Sequence, residues 1–347
     1  MSSISVNTIT DASGGSTTSI NGFTPSVSNM GGKNRIINGN FDIWQRGTSF
    51  SNPDNTYTAD RFLVVPGGGT TGDTVSRQSF TAGQTDVPNE PSYFLRFSVG
   101  GTSANRVMHH RVEDVRTFAG QTCTLSFWAK ASVAHTSTVE IQQNFGSGGS
   151  GSVTLSPVSY SMTTSWQKFT FTQTMPSIAG KTIGSSSYVY LAFIRSLGAS
   201  SVDIDIAQMQ FEAGSVATPF CPAGGGSYGQ ELALCQRYYY VLSAASNQNT
   251  FFSSTSGYTS TQALCVIPFS NTMRTNPSLV TSGTASDYRL IMGGSFLTCS
   301  SVPTMDQPNP NSANLIFTVS SGIVVGYGGQ VLANNTTSAF LGFSAEL

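Results

Sequence analysis

The chain has little charge. Of its 347 residues, 10% are charged, only four are lysines, and the net charge is −1. Ordinary globular proteins carry about 25% charged residues. The near-neutral balance excludes a basic surface for nucleic acid or for an anionic membrane. Ser, Thr, Asn, Gln and Gly must supply the polar surface instead, which suits strands and turns better than helices.

Long apolar runs and closely spaced cysteines are also missing. No segment approaches the roughly 18 apolar residues of a membrane span, and the first thirty residues lack the pattern of a secretory signal. We therefore expect that the chain is synthesised in the cytoplasm and is not inserted into a membrane. The cysteines have no metal-site or disulfide-framework spacing, which favours buried free thiols; they are Cys123, Cys221, Cys235, Cys265 and Cys299.

Residues 1–32 are rich in Ser, Thr, Gly and Asn and contain few large apolar side chains. Such a segment cannot bury enough surface to fold alone. It is either a disordered tail or an extended arm that docks on another subunit. The predicted attachment residues are Ile4, Val6, Ile9, Ile20 and Phe23.

Residues 33–220 show repeated short runs of alternating apolar and polar residues, which is typical of a β-sandwich. In residues 202–211, for example, Val202, Ile204 and Ile206 are predicted to point inward, with Met209 continuing that face. A first strand is predicted to enter at Ile36–Ile37. The glycine-rich loop at residues 66–73 matches no nucleotide-binding motif.

Composition changes after Phe220, so residues 221–347 are predicted to form a second, smaller β domain. Residues 230–240 favour a helix followed by a strand. Further strands are predicted, including one at Ile323–Val325. The proline-containing stretch 302–314 is predicted to be a protruding loop.

No catalytic motif is present. Acidic residues occur in predicted loops without an evident partner for glycoside hydrolysis; they are Asp54, Asp60, Asp73, Glu90 and Asp287. His109 and His110 are adjacent in a predicted strand, so they point to opposite faces and cannot share a metal ion. We therefore expect no enzymatic activity.

Several segments resemble bacteriophage tail-fibre and minor tail proteins. They are NRIINGNFDIWQRG (34–47), TADRF (58–62), RVEDVRTFAGQTCTLSFWAK (111–130), TSWQKFTFT (164–172), IAQMQFEAGSVATPF (206–220), YGQELALCQRYY (228–239) and MRTNPS (273–278). The N-terminal TITDASGGSTTSING is similar to a fibre attachment arm. The resemblance implies an all-β chain: an extended arm, a jelly-roll β-sandwich like that of carbohydrate-binding modules, and a smaller C-terminal β-sandwich.

The same resemblance implies a virion tail-fibre or receptor-binding protein, often a homotrimer. Its arm would bind the phage tail or an adaptor protein, and its C-terminal domain would contact a host surface glycan or protein receptor. Two alternatives stay open: a purely structural virion protein of the baseplate, tail hub or capsid, and a polysaccharide depolymerase.

The jelly-roll resemblance also implies a structural calcium near the first and last strands, with Asp42 and Asp205 as ligands. Two acids supply only part of a calcium shell, and solvated or hydrogen-bonded acids are the alternative. No other cofactor is expected. Trp44, Trp128 and Trp166 are candidates for stacking on sugars, with core or interface packing as the alternative. Trp166 is the best exposed candidate, and Trp44 is also proposed.

Overall fold

The computed structural model describes residues 32–67, 72–100, 105–196, 201–244 and 249–347. Within these ranges the chain forms antiparallel sheets and a single α-helix, which confirms the predicted all-β class with two sandwich-like units. No helix in the described ranges is long and apolar enough to cross a membrane. The predicted attachment residues Ile4, Val6, Ile9, Ile20 and Phe23 lie outside the described part.

The first unit contains two sheets. In spatial order, sheet I consists of β1 (Ser49–Ser51), β4 (Thr74–Ser79), β5 (Tyr93–Val99), β13 (Val202–Ala213), β7 (Thr122–Ala131) and β11 (Gln167–Thr174). Sheet II consists of β10 (Val158–Met162), β8 (His135–Asn144), β12 (Tyr188–Ser196), β6 (Asn105–Glu113), β3 (Phe62–Gly67) and β2 (Thr56–Tyr57), and β9 (Val153–Thr154) pairs with β8.

The core of this unit lies between the two sheets. Alternate residues of β7, such as Leu125 and Phe127, are fully buried, as are Leu191 and Phe193 of β12. Full burial of one such side chain contributes about 1.5–3 kcal/mol. The period-two pattern of the sequence therefore determines which face of each strand points inward.

The second unit begins with helix α1 (Tyr228–Gln236), whose N-cap Ser227 accepts a hydrogen bond from the Gln230 N–H. Sheet III consists of β14 (Tyr239–Ser243), β23 (Phe340–Ser344) and β17 (Ser278–Thr281). Sheet IV consists of β19 (Ser295–Thr298), β18 (Tyr288–Met292), β22 (Gly328–Ala333), β15 (Phe251–Gly257), β16 (Gln262–Pro268), β21 (Ser312–Thr318) and β20 (Thr304–Asn309). Sheets III and IV enclose a second core.

The prediction of a strand at Ile36–Ile37 was wrong. This segment has no assigned strand, because Asn38 adopts a positive φ of 61° and forms a turn. The Asn38 side chain bridges that turn, since its Oδ1 accepts the Ile43 N–H and its Nδ2 donates to the Ile43 carbonyl.

Two predictions in the C-terminal unit were also wrong. The stretch 302–314 is not a loop, because it forms β20 and the start of β21, which pair as a hairpin. Strand β20 is the outermost strand of sheet IV. A proline is tolerated there, because its missing N–H group need not donate a hydrogen bond to a neighbouring strand. Residues Ile323–Val325 do not form a strand. The strand of this region is β22, and its two initial glycines hide the strand pattern in the sequence.

Buried polar contacts join the two units. Arg61, which is 1% exposed, forms an ion pair with Glu346 and places its guanidinium 3.5 Å from the Tyr238 ring centroid. The Glu231 carboxylate of α1 accepts the backbone N–H groups of Asn38 and Gly224. The boundary between residues 220 and 221 stays a prediction, and the units are packed against each other whichever residue divides them.

The adjacent histidines of β6 are both buried and face opposite sides of sheet II. The His109 ring lies 4.5 Å from the Tyr190 ring, and the His110 ring lies 5.2 Å from the Phe62 ring. Burial and the nearby Arg111 charge lower the pKa of His109 to about 3. Both histidines are therefore held neutral inside the fold, which matches a structural role.

We expect this burial to make the protein sensitive to acid. The folded-state pKa of His109 lies below its unfolded value, so its stabilising contribution is present at neutral pH and is lost as the pH falls below about 6.5. Between pH 7 and pH 5 the loss is about 2 kcal/mol for His109. Asp60 acts in the opposite sense, because burial raises its pKa to about 6.

His109→Gln should therefore reduce the loss of stability between pH 7 and pH 5 by about 2 kcal/mol, as measured by urea unfolding. His135→Gln is the matched control, because His135 is only partly buried, and it should change this difference much less. Equal effects of the two substitutions would contradict the assignment.

Candidate functional site

The outer face of sheet I carries the first element of a candidate site. In β7, Trp128 alternates with the buried Phe127 and so points away from the core. The register pairs Trp128 with Ala207 of β13 on one side and with Lys168 of β11 on the other. Ala207 is fully buried, and Trp128 packs against the apolar cluster that contains it.

A β-bulge in β13 lies next to this tryptophan. Ala207 pairs with Trp128 and Gln210 pairs with Ser126, so two residues of β13 oppose one residue of β7. Gln208 has a positive φ of 48° there, while the following Met209 is fully buried. The extra residue places Gln208 on the same outer face as Ala207. Bulges of this kind re-aim side chains next to functional sites.

The segment that opens the first unit braces the bulge. The Met209 N–H donates to the Gly39 carbonyl over 2.8 Å, and the Asn34 side-chain amide donates to the Met209 carbonyl over 3.0 Å. A Cβ atom on residue 39 would lie 2.2 Å from the Met209 carbonyl oxygen. Position 39 must therefore be glycine for the two chains to approach so closely.

A groove of about 360 Å³ runs over this part of sheet I. Gln208 is fixed on its floor, because its Nε2 donates to the Pro88 carbonyl over 2.6 Å. The floor comes from three strands of sheet I, and the walls come from the loop after β4 and the segment after β13. The lining residues are Pro88, Asn89, Ser126, Trp128, Lys168, Gln208, Ala217, Pro219 and Phe220.

The groove is lined by apolar and neutral polar groups and by a single charged residue. Lys168 is exposed and forms no ion pair with another residue of the described ranges. Glu212 does not line the groove, and its carboxylate accepts hydrogen bonds from Gln210 and Thr218. The groove therefore combines the aromatic side chains of Trp128 and Phe220 with amide and hydroxyl groups and one positive charge.

Trp166, which was predicted to bind sugar, lies beside the groove rather than in its lining. Its ring is 5.3 Å from the Phe80 ring and 5.4 Å from the Phe94 ring, and the Lys130 ammonium lies 5.2 Å away. Trp128 belongs to the same apolar cluster. Trp166 thus supports the tryptophan that lines the groove, and its direct role in binding stays a prediction.

Trp44, the second predicted sugar-binding residue, is in the core. It is 8% exposed, its Nε1 donates to the Phe41 carbonyl over 2.8 Å, and its ring stacks with Phe50 at 6.4 Å. This placement leaves little ring surface for a ligand. In the sequence, Trp44 lies one position out of strict alternation. This position does not show whether the tryptophan is buried or exposed.

The two predicted calcium ligands have different partners. Asp205 accepts two hydrogen bonds from Arg96, at 2.7 and 2.9 Å, and lies 3.8 Å from the Lys130 ammonium. The Asp42 carboxylate accepts a hydrogen bond from Asn40 over 2.9 Å, and burial raises its pKa. Among the described residues no group of three or more His, Cys, Asp or Glu side chains could hold a metal ion. Calcium binding stays a prediction.

The acidic residues considered for hydrolysis are dispersed. Asp60 is buried beside Gln45 and Arg46, and Asp73 forms a buried ion pair with Arg106. Asp54 and Glu90 instead accept hydrogen bonds from residues nearby in the chain, which are Asn55 and Gly83 respectively. None of these contacts sets two carboxylates across the groove.

Sequence reasoning missed Gln208 as a site residue and did not choose Trp128 among the tryptophans. A signal for the bulge does exist. The inward residues of β13 are spaced by two up to Ile206, and the next one, Met209, follows after three. A break of one residue in an alternating pattern indicates a bulge.

Comparison with known proteins gives distant structural similarities. No protein-family model and no curated protein matches the chain. A structure described as CBM4 is 20% identical over 51% of this chain and 98% of its own, with a TM-score of 0.33. A family 11 carbohydrate-binding module from Clostridium thermocellum is 14% identical over 50% of this chain and 99% of its own, with a TM-score of 0.30.

The enzymatically active domain of tailspike protein 4 from bacteriophage CBA120 is also similar. It is 13% identical over 52% of this chain, with a TM-score of 0.35, and the match covers 21% of the tailspike chain. With TM-scores this low, these similarities carry no argument about this chain, and the groove is interpreted from its own residues.

Gly39→Ala tests the brace of the bulge. The added methyl group collides with the Met209 carbonyl, so we expect a loss of about 1–3 kcal/mol in the free energy of unfolding. Gly151→Ala is the matched control, because nothing lies within 4 Å of a Cβ at that position. Urea unfolding of both variants measures the difference, and equal stabilities would show that the close approach is not required.

Proposed function

We propose that this chain is a glycan-binding adhesion protein and that the groove on sheet I is its sugar site. The observation that carries the proposal is that the outward-facing Trp128 and Gln208 line the same groove, because the bulge brings Gln208 onto the outer face. An aromatic face binds the apolar face of a sugar ring, and fixed amides select its hydroxyl pattern.

The remaining groups of the groove complete this chemistry. The Gln208 amide is already oriented by the Pro88 carbonyl, so it loses little freedom when it binds a hydroxyl group. Asn89 and Ser126 offer further donors and acceptors along the groove. Lys168 provides a positive charge at the β11 side, where a sugar hydroxyl or carboxylate group would accept its hydrogen bonds.

We further propose that the protein belongs to a bacteriophage virion, as a tail fibre or receptor-binding protein. This rests on the sequence resemblance described above. Residues 1–32 would attach to the tail, and a homotrimer would present several weak glycan sites together, so that avidity replaces single-site affinity. The proposed adhesion involves no reaction.

The alternative of a purely structural virion protein also has an observation in its favour. The outer face of sheet IV exposes large apolar side chains, which include Phe251, Val266 and Phe296 at 56%, 59% and 57%. Exposed apolar surface of this kind is typical of subunit contacts. A structural protein of this sort would need no sugar site, so glycan binding separates the two functions.

Glycan-array binding by the intact chain tests the sugar site. Trp128→Ala should weaken binding at least tenfold, which corresponds to about 1.4 kcal/mol, because the stacking face is lost. Ala217→Trp, which fills the groove without removing a core residue, should block binding in the same way. Controls are Tyr258→Ala and Ala179→Trp, which change exposed residues elsewhere. Equal binding by groove and control variants would refute the proposal.

The virion assignment requires a different test. Deletion of residues 221–347 is unsuitable, because it removes Glu231 and Glu346 and leaves Arg61 buried without its partner. A peptide tag between Gly293 and Gly294, in the exposed turn that joins β18 and β19, avoids these contacts. Electron microscopy of labelled virions should show the tag at the distal end of a tail appendage. Label on the capsid or on no part of the particle would contradict the assignment.

A further inference from the structure

A second cavity lies where the two units meet. It has a volume of about 450 Å³, within the range of small-molecule sites. Residues of both units line it, with Tyr57 from the first and Tyr239, Val241, Val280 and Phe340 from sheet III. It shares no lining residue with the groove on sheet I.

The wall from sheet III is an apolar strip. The register places Val241, Gly342 and Val280 in one row across β14, β23 and β17. Neighbouring residues of these strands, such as Leu242 and Phe343, face the second core, so this row faces the cavity. A Cβ on residue 342 would lie 2.3 Å from the Tyr239 hydroxyl, so glycine at this position allows the Tyr239 ring to lie over the middle of the row.

The opposite wall is charged but internally neutralised. The Arg46 guanidinium lies 3.6 Å from the Tyr239 ring centroid and 5.3 Å from that of Tyr57. It also forms an ion pair with Glu346 at 3.0 Å and lies 3.8 Å from Asp60. Because these acids already balance the cation, the cavity does not present a free charge to a ligand.

Uncommitted hydroxyl groups complete the lining. The side chains of Ser243, Thr337 and Ser344 make no hydrogen bond to another residue in the described part of the chain. A ligand that suits this cavity has one apolar face for the Val241–Val280 strip and neutral hydroxyl groups for these side chains. A pyranose sugar without a charged substituent has both properties.

We propose that the cavity between the units is a second ligand site, which binds a neutral pyranose of one or two rings. The site exists only when both units are present, since Tyr57 and Val280 come from different units. It is independent of the groove, and neither proposal requires the other.

Saturation-transfer NMR on the intact chain tests this site. The probes are methyl glycosides of glucose, galactose and N-acetylglucosamine, with the methyl glycoside of glucuronic acid as the charged comparison. At least one neutral probe should bind, and raising the salt concentration from 0.05 to 0.5 M should leave its affinity unchanged, because no free charge takes part.

Val280→Trp should fill the cavity and lower the affinity for the neutral probe at least tenfold. Val266→Trp is the matched control, because both valines are exposed strand residues, at 42% and 59%, and only Val280 lines the cavity. Thr337→Trp fills the cavity from an exposed loop position, so it serves as a second variant if Val280→Trp unfolds.

The site is refuted if no neutral probe binds, if only the charged probe binds, or if both cavity-filling variants bind like the Val266→Trp control. Ala217→Trp separates the two sites. Binding that survives Ala217→Trp but is lost in Val280→Trp supports the cavity even where the groove binds nothing. Binding lost in Ala217→Trp alone supports the groove and refutes the cavity.

Discussion

The close approach of Gly39 to Met209 is the constraint on which the proposed groove depends. Strand β13 pairs with β5 only as far as Ile206, and beyond that point the opening segment takes over its hydrogen bonds. The bulge at Ala207–Gln210 marks this exchange of partners. Because the brace fixes the backbone at Met209, Gln208 is held on the outer face in a conformation that non-glycine residues seldom adopt. A local backbone contact thus sets the chemistry of an exposed surface.

Several of the chain's few charged residues are buried in ion pairs. Asp73 and Arg106 are buried within the first unit, while Arg61 and Glu346 are buried between the units. A buried pair contributes little net stability, but an unpaired partner is costly, so such pairs favour one arrangement of the units over others. The side chains of serine, threonine, asparagine and glutamine supply much of the polar surface. Both proposed sites are lined mainly by neutral groups, and the charged exceptions are Lys168 in the groove and the ion-paired Arg46 in the cavity.

The sequence predicted the fold better than the sites. Period-two alternation predicted that Val202, Ile204 and Ile206 point inward, and all three are buried because one face of β13 packs on the core. It failed at Ile36–Ile37, where an asparagine turn replaces the strand, and at 302–314, where prolines suit an edge strand. The sites depend on which outward residue of one strand meets a loop from elsewhere. That information lies in long-range register, so alternation could single out neither Trp128 nor the cavity beside Val280.

The position of Glu346 has a consequence for the order of events during synthesis. Arg61 emerges from the ribosome early, whereas its carboxylate partner comes 285 residues later. Domains generally fold as units while the chain is made, with the N-terminal part first. Here the first unit is left with an arginine that lacks its counter-charge until residue 346 has been translated. Joining the two units therefore requires a contact of very high sequence separation, and a chain truncated before residue 346 cannot form it.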